Sequence, residues 1–232
     1  MLLQTLSATL PEALGPWLAV VGFGAYHGLN PGMGWLFALS LGLQQRSQRA
    51  IWVSLFPIAA GHAASLVLVA ILILAGFQFM PTSLLQTGTG FLLMAFGVYK
   101  ILRYYRHPRW VGMKVGLVDL TWWSFLMATA HGAGLMIAPA LISIAAMQGA
   151  AHHQHRQVSG GGPAVFLGIL VHTLAMLAVM TAVAWAVYHY LGLAVLRRNW
   201  INFDLIWAVA LLLVGVLSLV TASSPGVGLD FG

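Results

Sequence analysis

The chain has 232 residues, of which 60% are hydrophobic and only 6% are charged, whereas a soluble domain carries about 25% charged residues. This composition excludes soluble enzyme classes and predicts an all-α integral membrane protein. The formal net charge is +6, but the basic residues lie in short loops. We therefore interpret the charge as a signal of membrane orientation rather than of nucleic-acid binding. Because the chain has no cysteine, disulfides, iron–sulfur clusters and thiolate metal sites are excluded.

Six segments are apolar enough to cross a bilayer, whose core of about 30 Å needs roughly 20 residues per helix. They are residues 14–43, 51–77, 84–103, 120–148, 163–192 and 202–221. The first, fourth and fifth approach thirty residues, so we expect them to tilt, kink or contain a break. The apolar start has no basic n-region, so no removable signal peptide is expected.

The loops between these segments predict the orientation. Nine basic residues follow the first, third and fifth segments: Arg46, Arg49, Lys100, Arg103, Arg106, Arg109, Lys114, Arg197 and Arg198. The other side carries Arg156 as its basic residue, together with Glu12 and Asp230. By the positive-inside rule the three basic loops are cytoplasmic and both termini lie outside, as in a protein of the bacterial inner membrane.

The order His-Gly, His, Gly occurs in both halves of the chain. The paired residues are His27 with His131, His62 with His172, and Gly97 with Gly215. Their separations of 104, 110 and 118 residues grow by loop-sized steps. The sequence thus predicts two three-helix repeats, 1–110 and 111–232. Because each holds an odd number of spans, the second must be inverted, as in many secondary transporters.

Four histidines fall well inside predicted spans: His27, His62, His131 and His172. An ionisable residue at membrane depth is costly and indicates function, although a single one is more often a buried polar contact between helices. A pseudo-two-fold axis would bring all four towards one centre, where imidazoles suit zinc, nickel, copper or iron. These four are the predicted metal ligands.

The first span also carries a helix-breaking string, His27-Gly28-Leu29-Asn30-Pro31-Gly32-Met33-Gly34. The proline removes a backbone donor and disfavours helix at the residue before it, and the glycines loosen the same stretch. We expect a break here and a matching one near His131-Gly132, since paired broken helices mark transporter sites. The alternative is a kink that serves packing alone.

Polar and thioether side chains near the histidines form a predicted substrate path, which consists of Asn30, Met33, Ser65 and Met176. Ser65 lies one turn after His62, and Met176 lies four residues after His172. Core filling is the more common role of methionine on an apolar helix.

A separate group of histidines, His152, His153 and His155, lies in an outer loop beside a glycine tract. We expect it to collect a divalent cation weakly. Asp119 and Asp204 open the fourth and sixth segments and are expected to cap helices rather than relay protons.

The string His27-Gly28-Leu29-Asn30-Pro31-Gly32 resembles the opening-helix signature of nickel/cobalt (NicO-type) efflux transporters, which are also small and histidine-dependent. The resemblance implies transition-metal transport with His27 as a ligand. Two positions depart from the family: Asn30 replaces an acid and Met33 replaces a second histidine. If these residues coordinate, the change favours softer ions. A looser likeness links the chain to small 3+3 amino-acid exporters.

The predicted function is proton-coupled secondary transport of a divalent or soft transition-metal cation, with the lipid bilayer and the cation as partners and no nucleic acid. A homodimer or an unidentified partner subunit stays open. The alternatives are a carrier of b-type haem, held by paired histidines, and an exporter of a small organic solute. An enzyme is least favoured, because neither paired carboxylates nor a Ser/His/Asp order occurs at membrane depth.

Overall fold

The computed structural model describes residues 2–76, 79–102, 116–151, 161–191 and 203–223, and every regular element among them is helical. The helices are α1 (Leu2–Leu29), α2 (Trp35–Gln44), α3 (Gln48–Gly76), α4 (Thr82–Leu102), α5 (Leu117–Ala130), α6 (Ala133–Ala151), α7 (Gly161–Ala186) and α8 (Phe203–Ser223). A 3-10 turn (Pro31–Met33) joins α1 to α2, and a π turn (Val187–Leu191) ends α7. The predicted all-α fold is confirmed.

Within the described ranges, three helices are long and apolar enough to cross a membrane: α3, α4 and the stretch Gly162–Tyr190. The bent pair α5–α6 makes a fourth if it is counted as one span. Large apolar side chains, Phe56, Leu72, Phe91 and Leu217 among them, project outward from the bundle. So much exposed apolar surface is compatible with a lipid environment and costly in water.

The first break lies where the sequence predicts it, directly after α1. Asn30 is extended (φ −70°, ψ 119°), and its Oδ1 accepts a hydrogen bond from the Gly32 amide at 2.9 Å. Gly34 has a φ of +123°, which a residue with a side chain rarely adopts. The Trp35 indole donates to the Leu29 carbonyl at 3.1 Å. The amides of Asn30, Gly32, Met33 and Gly34 thus all find acceptors within the break or the last turn of α1.

The second predicted break separates α5 from α6, which meet at an angle of 68°. It is made by His131 and Gly132, the latter with a φ of +69°. At the other end of α5, the Gly116 amide donates to Asp119 Oδ2 at 2.8 Å. Asp119 thus caps the helix, as expected. The side chain of Asp204 lies outside the described residues.

Helices α1 and α7 pack closely and run in the same direction. A Cβ added at Gly24 would strike the His172 carbonyl oxygen, and one at Gly28 would lie 2.5 Å from that of Met176. From Gly24 to Gly28 on α1, the contacted residue on α7 moves from His172 to Met176. The residue numbers rise together, so the two helices are parallel. Only glycine permits backbones to approach this closely.

Helices α3 and α5 form a second parallel pair. Ser124 Oγ donates to the Ile58 carbonyl at 2.7 Å, and the hydroxyls of Ser65 and Thr129 lie 3.0 Å apart. The residue numbers of these contacts rise together along both helices, which makes the pair parallel. Helices α4 and α8, in contrast, are antiparallel.

Two close contacts of glycine with backbone carbonyls define the α4–α8 pair. The Cβ position of Gly90 lies 3.1 Å from the Gly215 oxygen, and that of Gly97 lies 3.1 Å from the Ala208 oxygen. As the residue number rises along α4, the number of the contacted residue on α8 falls, so the two helices are antiparallel.

Substitution of Gly61 by alanine tests the α3–α5 contact. Its Cβ would strike the Thr121 carbonyl oxygen and lie 3.0 Å from the Phe125 amide nitrogen. We expect a loss of about 1–3 kcal/mol of stability, as for other overpacked sites, seen as a lower melting temperature in detergent. Gly88 in α4 has nothing within 4 Å of its Cβ position, so Gly88→Ala is the matched control. Equal melting temperatures for both variants would contradict the close contact.

Candidate metal centre

Three of the four predicted histidines converge in the interior, one each from α1, α3 and α7. His27, His62 and His172 are fully buried. His27 Nδ1 lies 2.9 Å from His172 Nε2, and His62 Nε2 lies 3.4 Å from the same atom. One ring nitrogen from each residue lies within 4.8 Å of the others. Three neutral donors therefore surround a single point.

A backbone carbonyl sets the tautomer of His172. His172 Nδ1 lies 3.1 Å from the Val20 oxygen, and a carbonyl can only accept, so Nδ1 carries the proton. The Nε2 lone pair of His172 then faces the other two rings, and His27 Nδ1 donates to it. Histidines that bind a metal through one ring nitrogen commonly donate the N–H of the other ring nitrogen to a carbonyl in this way.

The spacing of the nitrogens suits a small cation. Metal–nitrogen bonds of about 2.0–2.1 Å at tetrahedral angles place ligand nitrogens about 3.3 Å apart. The His62–His172 separation of 3.4 Å matches this value, whereas the His27–His172 hydrogen bond at 2.9 Å must open slightly. His62 Nδ1 is buried without a hydrogen-bond partner, which is a cost that only a useful ring orientation would offset.

Helix geometry explains why His27 reaches His172. Gly24 and Gly28 flank His27 on α1 and bring its backbone against α7. Since α1 ends at Leu29, His27 lies in the last helical turn, next to the break. The site thus combines a close helix contact with irregular backbone, which at membrane depth is tolerated where protein or a cavity surrounds it.

His131 is not part of this three-histidine cluster. It is buried and forms the C-cap of α5, where its Nδ1 donates to the Met127 carbonyl at 2.8 Å. The structure confirms convergence for three of the four predicted ligands, and the ligand role of each stays a prediction.

The predicted path residues are all buried. Asn30 uses its Oδ1 to stabilise the turn at Gly32, and Ser65 bonds to Thr129. The side chains of Met33 and Met176 are fully enclosed. Loop residues His152, His153 and His155 lie outside the described residues.

The sequence does not predict one partner of the site, the Val20 carbonyl, because every residue carries a backbone carbonyl. Met180 lies eight residues after His172 and four after Met176, a spacing that predicts a shared helix face, and it is fully buried.

Comparison of the chain with protein-family models, curated proteins and solved structures finds no match. The protein is therefore described by its fold and its histidine site. It is a helical bundle with apolar helices of membrane-spanning length, two broken helices and a buried cluster of three imidazoles.

Replacing a cluster histidine by phenylalanine keeps the ring volume and removes the donor nitrogens. We expect His62→Phe and His172→Phe to weaken Co²⁺ or Zn²⁺ binding by about 100-fold or more. Loss of a residue that only hydrogen-bonds to a metal ligand already lowers metal affinity by about 10–100-fold, and loss of a ligand should lower it further. Elemental analysis and the visible spectrum of Co²⁺ measure this in detergent. His189→Phe is the control, because His189 is exposed and bonds to Gln48. Equal binding by all three variants would rule out the cluster as the metal site.

Proposed function

We propose that this protein is a secondary transporter that moves a transition-metal cation through a histidine-lined site near the membrane midplane, coupled to protons. The observation that carries the proposal is the convergence of three buried imidazoles beside a broken helix. Helix breaks at membrane depth accompany substrate sites in transporters, where the unwound backbone lines the path.

The proposed architecture is six spans in two inverted repeats, with α1–α2 and α5–α6 each counted as one broken span. Helix directions support it. In six alternating spans, the first and fifth run the same way, as α1 and α7 do. The second and fourth also agree, as α3 and α5 do, and the third and sixth oppose each other, as α4 and α8 do.

Individual contacts also follow the repeat. A shift of 118 residues, taken from the sequence, relates Gly90 to Ala208 and Gly97 to Gly215. The same shift therefore converts the contact of the Gly215 Cβ position with the Gly90 oxygen, at 3.0 Å, into that of the Gly97 Cβ position with the Ala208 oxygen, at 3.1 Å. A self-complementary contact of this kind is what a two-fold axis between α4 and α8 produces.

The histidine cluster then lies between the repeats. His27 and His62 come from the first repeat, and His172 comes from the second. Transporters built from inverted repeats place their substrate at this interface, so that rocking of one repeat against the other exposes it to alternate sides. The positive-inside rule orients the proposed protein with its three basic loops in the cytoplasm of a bacterial cell.

The hydrogen bond between His27 and His172 supports proton coupling. A cation that takes the His172 Nε2 lone pair displaces the proton that His27 Nδ1 donates to it. His27 must then rotate or carry its proton on Nε2 before Nδ1 can coordinate the cation. The cation and an added proton would compete for the same lone pair, that of His172 Nε2.

The likeness to NicO-type transporters supports the same proposal through the string that begins at His27-Gly28 alone.

Haem is less favoured, because the centroids of the three histidine rings lie 4.9–5.6 Å apart and their nitrogens are in direct contact. A bis-histidine haem would need its macrocycle between two of these rings. No contact among the described residues favours an organic solute.

Transport is measured in proteoliposomes that contain a metal-sensitive dye. We expect cation flux above that of empty liposomes, with opposite movement of protons reported by an internal pH dye. His172→Phe should abolish both signals, and His189→Phe should retain them. Failure of the wild-type protein to carry Ni²⁺, Co²⁺, Zn²⁺ or Cu⁺ would contradict the proposed function.

A further inference from the structure

The buried methionines are unevenly distributed in the bundle. Among the side chains that the structure describes, four methionines are fully buried, namely Met33, Met136, Met176 and Met180. All four belong to the hydrophobic cluster that surrounds the first helix break. The other large cluster, around Leu66 and Ile137, has no fully buried methionine. Methionine used only as a flexible core filler has no reason to collect on one side.

Two of these methionines extend from the histidine cluster in a row. His172, Met176 and Met180 are four residues apart on α7, so they share one face at intervals of about 6 Å along the helix. All three are fully buried, and the end of α1 covers this face, since the Gly28 Cβ position lies 2.5 Å from the Met176 oxygen. The row leads towards the end of α7 that precedes the basic loop at Arg197.

Met33 reaches the same side of the cluster from the other helix. It lies in the 3-10 turn that follows α1, six residues beyond His27, and it is fully buried. Because α1 and α7 are parallel, the residues after His27 and those after His172 lie on one side of the cluster. Buried thioethers from α7 and from the turn after α1 therefore lie on one side of the histidine cluster.

The charge of the site restricts its cargo. All donors in the cluster are imidazoles, and the sequence has only four acidic residues, Glu12, Asp119, Asp204 and Asp230, none of them within ten residues of His27, His62 or His172. The cost of moving an ion out of water rises with the square of its charge. A monovalent ion thus costs about a quarter as much as a divalent one of equal size.

We propose that the cargo is the soft monovalent cation Cu⁺, and that Met176, Met180 and Met33 form a thioether path which exchanges it with the three histidines. This inference rests on the proposed transport function and specifies its substrate. Copper is a first-row metal that both imidazole and thioether ligands bind, and Cu⁺ is its monovalent form. The ion passes as Cu⁺ throughout, so the path involves ligand exchange without electron transfer.

Flux measurements with the full-length protein in proteoliposomes test the proposal. The probes are Cu⁺ held reduced by ascorbate, Ag⁺ as a redox-inert mimic, and Ni²⁺, Co²⁺ and Zn²⁺. We expect the monovalent ions to move at least about tenfold faster than the divalent ones. The double variant Met176→Leu/Met180→Leu should lower Ag⁺ flux by about tenfold or more. X-ray absorption of bound Ag⁺ should show sulfur neighbours in the wild type and lose them in this variant.

The control is Met94→Leu/Met147→Leu, because both side chains lie outside the buried methionine group. Leucine resembles methionine in volume, and melting temperatures verify that each variant is folded. Equal Ag⁺ flux in both double variants, or faster transport of a divalent ion, would overturn the proposal while leaving metal transport intact. Absence of flux for every ion would instead refute the transport function itself.

Discussion

The whole site depends on the way one face of α1 holds the ring of His172. Val20, Gly24 and His27 recur on that face at intervals of four and three residues, the spacing of successive helical turns. The Val20 carbonyl accepts from Nδ1 of His172, and the His27 ring contacts Nε2. Gly24 lies between them, where a side chain would strike the His172 carbonyl. A single helix thus fixes the position, tautomer and lone-pair direction of the ring.

This arrangement explains why the helix break lies where it does. His27 must remain in regular helix to share a face with Val20, yet the chain must turn soon afterwards if α2 is to pack on α3. Asn30 and Gly34 supply that turn within five residues, and their backbone groups find partners locally. In a medium without water, a break without such partners would cost several kcal/mol per unsatisfied group.

Much of this could be predicted from the sequence. Apolar length and the Asn-Pro-Gly string predict the helices and the first break, because they reflect local backbone energetics. The repeat predicts that histidines from distant spans converge. The Val20 carbonyl could not be predicted, since backbone acceptors are identical at every position. Which helix faces meet depends on close contacts such as Gly28 with Met176, and these emerge only from the assembled bundle.

The position of His131 shows where the two halves differ and why. In the first half the break begins at Asn30, three residues after His27, because a proline follows. The second half has no proline at the matching place, so a positive φ at Gly132 makes the turn. His131 therefore becomes the cap of α5 itself. One residue type at one position decides whether the histidine stays in the helix or ends it.

This asymmetry has a direct meaning under the proposed inverted repeat. The two-fold operation exchanges His62 with His172 and His27 with His131. The first pair, whose rings are stacked with planes 5° apart, maps onto itself and forms the constant part of the site. The operation would replace His27 by His131 as the third donor. In a rocking transporter the two access states are related by such an exchange, so under the proposed repeat the fourth histidine would complete the same site in its other state.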